Sequence, residues 1–240
     1  MGSKIVLSKR LAAVVAYVTK GNKVCDVGCD HGFVPIYLVK QGISPGVLAM
    51  DVRKGPLMQA RNHIEEYGLT QYIKTRLSDG LDAYRIGEAD TLICAGMGGR
   101  LMMHILEAWP DKTVSFHELI LQPQSEIQIF RCFLREQGYL ITDENMIEED
   151  DKFYPIIRAV SGKSDKTIPK GESFEDLYGP LLIREKHPVL RRYLEREEKI
   201  FGGILEELQA KGLGDVRRQK RYKEIESLRQ DCRRVLEMFI

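Results

Sequence analysis

The chain of 240 residues has a single tryptophan, no low-complexity tract, no internal repeat and almost no surplus of charge. Thirty-six Lys and Arg stand against 35 Asp and Glu, a formal net charge of +1, so the whole-chain balance does not announce a nucleic-acid partner. No apolar run approaches the roughly 20 residues of a membrane span. Residues 1–10 carry Lys4, Lys9 and Arg10 without the apolar stretch and small-residue cleavage site of a secretory leader. The expectation is a cytoplasmic protein with no membrane contact. The five cysteines (Cys25, Cys29, Cys94, Cys132 and Cys232) are odd in number and scattered, with no CxxC pair. They predict reduced thiols, with no disulfide framework and no metal site.

What the chain does have is alternation. A helix is predicted from Ser8 to Val18, then a short apolar strand, Lys23–Val27, running into a glycine-containing turn. Helices at about Phe33–Gln41, Gly55–Tyr67, Gly99–Ala108 and Ser125–Gln137 are interleaved with strands at Pro45–Asp51, Ile73–Leu77, Asp90–Ala95 and Glu118–Gln122. Two closing strands, Tyr139–Met146 and Phe153–Val160, have no helix between them. Strand–helix alternation implies a mostly parallel sheet covered on both faces, and the last pair suits an antiparallel edge hairpin. Seven strands ending this way resemble the class I methyltransferase variety of the Rossmann-like α/β fold. The expected domains are residues 1–160 and, beyond a polar linker at Ser161–Glu172, residues 173–240. In the latter, Leu190, Leu194, Phe201, Ile204 and Leu208, and then Ile225, Leu228, Cys232, Val235 and Phe239, recur at heptad-like spacing, broken by Gly212 and Gly214. That pattern predicts a helical coiled-coil hairpin. Residues 181–240 hold 15 Lys and Arg against 11 Asp and Glu, the more anion-friendly part of the chain.

The chemistry gathers at the strand tips. Asp26-Val27-Gly28-Cys29-Asp30-His31-Gly32 follows the first strand and resembles the acid-initiated glycine loop of methyltransferases, with Asp30 in place of the central glycine. A dehydrogenase opens this loop with glycine and offers a helix N-terminus to pyrophosphate. A carboxylate there repels phosphate and suits the ammonium end of S-adenosylmethionine. Asp51 closes the second strand, 23 residues after Gly28, where a carboxylate accepts both ribose hydroxyls. Asp79 and Gly80 follow the third strand, in position to take the adenine amine and turn beneath the ring; a plain solvated turn is the other reading. Ala95-Gly96-Met97-Gly98-Gly99 ends the fourth strand, with three glycines in four positions. All four groups fall on one edge, where open α/β sheets bind ligands.

With these residues assembled, the chain resembles the bacterial tRNA adenine-N(1)-methyltransferases known as TrmK, which act on the adenine at tRNA position 22. The resemblance rests on Leu7-Ser-Lys-Arg-Leu11, Asp26-Val-Gly-Cys-Asp-His31 with Pro35-Ile36, Ala95-Gly-Met-Gly-Gly-Arg-Leu101, Leu119-Ile-Leu-Gln-Pro123, Lys152-Phe-Tyr154 and the terminal hairpin, nearly the whole chain. Pro155 departs from it, standing where the family is expected to carry Glu. The resemblance implies methyl transfer from S-adenosylmethionine to N(1) of an adenine in tRNA. It implies cofactor contacts for Asp26, Gly28, His31, Gly32, Asp51, Asp79, Gly80, Ala95, Gly96 and Met97.

Asp30 is the candidate for stabilising the cationic adenine, with capping of the following helix as its alternative. Substrate contacts are expected from Arg100, Gln122 and Tyr154, the last weighed against edge-strand packing. Arg217, Arg218, Lys220 and Arg221, in a run of five cations within residues 217–223, face either solvent or phosphate. A monomer is expected. The rival functions are a methyltransferase for a small metabolite and a non-catalytic RNA-binding Rossmann domain.

Overall fold

The computed structural model describes residues 5–162, 174–212 and 214–240; the linker expected at Ser161–Glu172 lies outside them from residue 163 onward. The chain divides into two compact units, Met1–Glu172 and Ser173–Ile240.

In the first unit, α1 (Lys9–Ala16) is followed by β1 (Val24–Val27), α2 (Phe33–Lys40), β2 (Val47–Asp51), α3 (Lys54–Glu66), β3 (Ile73–Leu77), β4 (Thr91–Met97) and α4 (Gly99–Ala108). A short α5 (Pro110–Thr113), β5 (Glu118–Pro123), α6 (Ile127–Glu136), β6 (Tyr139–Glu149) and β7 (Lys152–Ser161) complete it. The seven strands form one sheet in the order β3-β2-β1-β4-β5-β7-β6, parallel except where β7 enters antiparallel between β5 and β6. Every residue of β1, β2 and β5 is buried, the pattern of strands covered by helices on both faces. Leu92, Cys94, Leu119 and Leu121 lie in the core on one side of the sheet, and Val24, Ala49, Ile93 and Ile120 in that on the other. The order changes direction between β1 and β4, leaving a crevice at their carboxyl ends.

The edge hairpin is tighter than the sequence predicts. Pairing runs on to Glu149 and Lys152, so the turn is only Asp150-Asp151, both with positive φ, 51° and 57°, as a two-residue turn matched to strand twist requires. The Glu149 carboxylate at the tip accepts from the backbone N–H of Lys9, 2.6 Å, and of Arg10, 3.4 Å. Together with Ser8, whose Oγ accepts from Leu11 N–H, it caps α1.

At the amino ends of the parallel strands, buried Glu118 is a hub. Its carboxylate accepts from the backbone and hydroxyl of Thr19, the hydroxyl of Thr91, the amide of Asn22 and the guanidinium of Arg158, 2.7 Å. Burial raises its pKa, but the bonds from Thr19, Thr91 and Arg158 outweigh burial and leave it below the ordinary value.

The second unit holds α7 (Phe174–Tyr178), α8 (Pro180–Arg184), α9 (Pro188–Ala210) and α10 (Val216–Glu237). The two long helices pair as a hairpin. Leu190, Leu194, Leu205, Ile225, Cys232 and Val235 are buried, whereas Phe201, Ile204, Leu208, Leu228 and Phe239 of the expected seam are only half-buried. Gly202 takes the inner position instead, because Arg229 crosses there and a Cβ would lie 2.9 Å from its Nη2. The short helices α5, α7 and α8 have no counterpart in the sequence prediction.

Replacing Glu118 by Ala strands five donors, one of them a guanidinium. The variant is expected to lose about 3 kcal/mol of stability, read by urea denaturation beside the parent protein; a loss below about 1 kcal/mol would show that the hub is dispensable.

Candidate active site

A cavity of about 420 Å³ opens at the carboxyl ends of the parallel strands. The β1 loop lines it with Asp26, Gly28, Asp30 and His31, the β2 tip with Asp51 and Arg53, the β3 tip with Ser78, Asp79 and Gly80, and the β4 tip with Ala95, Gly96 and Met97. Nine of the ten expected cofactor residues therefore converge on one cavity. The tenth, Gly32, does not line it. At φ +75° it opens α2, and a Cβ there would lie 3.1 Å from Ala60 Cβ, so its role is the packing of α2 on α3.

Asp51 organises the centre. One carboxylate oxygen accepts from Arg53 N–H at 2.8 Å and the other from Asp30 N–H at 3.3 Å. The second bond ties the β1 loop to the β2 tip, as do those from Gly28 N–H and Cys29 N–H to Met50 O, 2.8 and 3.0 Å. Asp30 thereby adopts φ +47°, a left-handed conformation that Asp tolerates better than most residues. Its carboxylate, 59% exposed, lies 3.6 Å from His31 Nε2. Asp30 does not cap α2: the N-cap is Gly32, with no side-chain bond. Of the two readings of Asp30, the cap is excluded.

Asp26 is buried beneath the loop, and its carboxyl is pushed up to about 7, by burial first and by the negative Asp51 second. Four carboxylates (Asp26, Asp30, Asp51 and Asp79) against two guanidiniums (Arg10 and Arg53) make the cavity suited to a cationic ligand. Burial, followed by Asp26 and Asp51, drives the Cys29 thiol well above its usual range. No thiolate nucleophile is on offer.

Glycines of the cavity lining take positive φ. Gly28 has φ +77°, and a Cβ there would clash with the Met97 side chain. Gly96 has φ +79° and is the bulge where β4 slips register against β5. The other two glycines of that run meet neighbouring backbone and side chain. A Cβ on Gly98 would meet Ser125 Oγ at 3.0 Å, and one on Gly99 would meet Ser125 O at 2.5 Å.

The expected substrate residues divide. Gln122 is fully buried, and its Oε1 accepts from Gly96 N–H, 3.1 Å, and Arg10 Nη1, 2.8 Å; it holds the β4 tip rather than facing the cavity. Tyr154 lies under Arg10, ring centroid 5.5 Å from the guanidinium carbon, and does not line the cavity. Arg100 is bonded through Nε to Glu126, 2.9 Å, outside the cavity lining. Arg217, Arg218, Lys220 and Arg221 belong to α10 of the second unit. Arg218 donates to the carbonyls of Lys211 and Gly212, so it closes the end of α9; Arg221 lies 3.4 Å from Glu224. Arg10 and Gln124 line the cavity unforeseen. So does Phe33, whose ring clusters with those of His31 and His63, with centroids 5.8 and 5.1 Å away and the two imidazoles 6.0 Å from each other. Among the described residues no cluster of His, Cys, Asp or Glu is suited to a metal ion, and no helix is long and apolar enough to cross a membrane.

The strand order, the antiparallel β7 and a glycine loop headed by a buried acid define a class I S-adenosylmethionine-dependent methyltransferase. The methyltransferase-domain family matches residues 7–157. Beyond that class, the chain belongs to the tRNA (adenine(22)-N(1))-methyltransferase family. It is 35% identical over 220 residues to the Bacillus subtilis tRNA (adenine(22)-N(1))-methyltransferase, spanning 91% of this chain and 92% of that protein. The crystal structure of Streptococcus pneumoniae Sp1610 with S-adenosyl-L-methionine matches with a TM-score of 0.83 at 31% identity, over 96% of this chain and all of that one. The structure of M. capricolum TrmK with S-adenosyl-homocysteine matches at 0.81 and 26%, over 98% and 99%.

The raised Asp26 fixes a pH dependence. The unfolded carboxyl titrates near 3.8 and the folded one near 7. Between these values the native state keeps a proton that the unfolded chain has released, so native stability falls as pH rises through the window and levels off above 7. Asp26→Asn removes this penalty. It is expected to melt higher than the parent protein at pH 8, with the difference vanishing at pH 4; thermal melts across that range check it.

Proposed function

We propose that this chain transfers the methyl group of S-adenosylmethionine to N(1) of an adenine in tRNA. The convergence of Asp26, Asp51 and Asp79 on one glycine-floored cavity carries the reading. When bound, the cofactor supplies an electrophilic methyl on a sulfonium centre. Asp51, held by two backbone N–H groups, is oriented to accept the ribose hydroxyls. Asp79 and Gly80 take the adenine edge and face. Asp26 is poised to ionise beside an ammonium group, since a neighbouring cation offsets the burial that holds its proton. Gly28 and Gly96 let backbone approach where any Cβ would intrude.

The acceptor base supplies the N(1) lone pair to the new C–N bond, while the sulfur keeps the electrons of the bond that breaks. The base becomes cationic, and no proton need leave N(1). Catalysis therefore rests on positioning and on a negative group near the developing charge. Asp30, exposed in the cavity and without a capping duty, is that group. A flipped-out base is required, because N(1) of a paired adenine is occupied.

The C-terminal unit, residues 173–240, contacts tRNA through Arg217, Lys220, Arg221 and Lys223, which are exposed along α10. The apolar seams of α9 and α10 are spent on each other, which supports a monomer. The protein acts in the cytoplasm, where tRNA is found. A small-metabolite enzyme would not call for the cationic run on a helical hairpin, and a non-catalytic RNA-binding domain would not need three converging carboxylates.

Unmodified tRNA incubated with labelled cofactor is expected to gain methyl at N(1) of one adenine, mapped by nuclease digestion and mass spectrometry; label on any other position would sink the assignment. In the same assay Asp30→Ala is expected to cut kcat at least tenfold with cofactor affinity within twofold, and unchanged turnover would remove Asp30 from the chemistry. Replacing Arg217, Lys220, Arg221 and Lys223 by Gln is expected to flatten the dependence of log Kd for tRNA on log salt, by up to about one for each phosphate no longer neutralised. An unaltered slope would place these cations away from the RNA.

A further inference from the structure

The strand order divides the cavity. On the proposed reading the cofactor takes the tips of β1, β2 and β3 and reaches the β4 tip at Ala95, Gly96 and Met97, which leaves the acceptor the side of the cavity toward β5. Two side chains with hydrogen-bonding groups face that space: Arg10 and Gln124. They flank Gly96, where a Cβ would lie 3.4 Å from Arg10 Nη1 and 3.8 Å from Gln124 Nε2. Arg10 is already engaged by Gln122 Oε1 and by the Tyr154 ring. It has only donors to offer, and it carries the same sign of charge as the methylated base. Gln124 differs. Its backbone is fixed by a 2.8 Å bond from its N–H to Met97 O, while its exposed carboxamide has no partner among the described residues.

Methylation at N(1) removes the Watson–Crick edge from use in recognition, since N(1) must stay bare and in line with the methyl group. Adenine is then told from the other bases through its other edge, where the N6 amine donates and N7 accepts side by side. A carboxamide presents the complementary acceptor and donor in one plane. Guanine offers two acceptors there and satisfies only half of such a pair.

We infer that Gln124 selects the target base by pairing in bidentate fashion with N6 and N7 of the flipped-out adenine. The inference rests on the reading of tRNA adenine as acceptor and adds to it the residue that reads the base.

The test is a double-mutant cycle on the full-length enzyme. Wild type and Gln124→Ala are each assayed with a tRNA transcript carrying adenosine, or 7-deazaadenosine with a CH in place of N7, at the methylated position. Each single change is expected to lower kcat/KM about 5- to 100-fold. The two together should cost little more than one, and cofactor affinity should stay within twofold. Losses that multiply, or 7-deazaadenosine accepted by wild type within twofold of adenosine, would overturn the role of Gln124; the second result needs no variant to fold. Failure of wild type to methylate the adenosine transcript would instead remove the acceptor assignment itself, and this inference with it.

Discussion

The site depends on the way the Asp51 carboxylate is held. Its two oxygens accept from the backbone N–H groups of Asp30 and Arg53, and the bond to Asp30 forces the β1 loop to double back over the β2 tip. That fold-back brings Asp26, Gly28 and His31 into the same cavity as Asp51 and puts Asp30 in the left-handed region. A carboxylate so bound is pre-oriented, with little side-chain freedom left to lose when ligand hydroxyls arrive. It is also a fixed negative charge above Asp26, where it adds to burial in keeping that neighbour protonated. The Asp51 carboxylate thus contributes both to the shape of the loop and, after burial, to the ionisation of a neighbouring acid.

Sheet order does the rest. With β1 flanked by β2 and β4, the loops after β1, β2 and β3 lie side by side and the loops after β4 and β5 continue the row. The bulge at Gly96 turns the end of β4 and presents backbone, rather than a side chain, to the cavity.

Much of this was legible in the sequence. Alternating apolar strands and helices defined the parallel part of the sheet, and acids and glycines at successive strand tips marked nine cavity residues, because they stand at fixed offsets from strands that periodicity detects. Arg10 and Gln124 were not legible. Arg10 reaches the cavity only because α1 packs near the closing hairpin, a contact 139 residues distant in sequence, and Gln124 is an ordinary loop residue until β5 is placed beside β4. At Gly32, Gly98 and Gly99 the sequence is ambiguous for a related reason: a close approach between two elements and a close approach to a ligand demand the same residue. Gln122 and Tyr154 both touch Arg10 rather than line the cavity, a relation that only three dimensions reveal. The seam of α9 shifted toward Gly202 because Arg229, on the partner helix, needed the room.

The capping of α1 by Glu149 has a consequence for biogenesis. The helix that contributes Arg10 is synthesised before the hairpin tip that fastens it, which follows about 140 residues later. During synthesis the first turn of α1 therefore has only its local Ser8 cap, and the wall of the cavity that Arg10 forms is assembled only after the last strands have closed the sheet. Non-local closure of this kind is slow relative to helix formation. Nascent chains halted before the hairpin would possess the β1 and β2 tips but not the completed pocket, which ties the onset of activity to the end of domain synthesis.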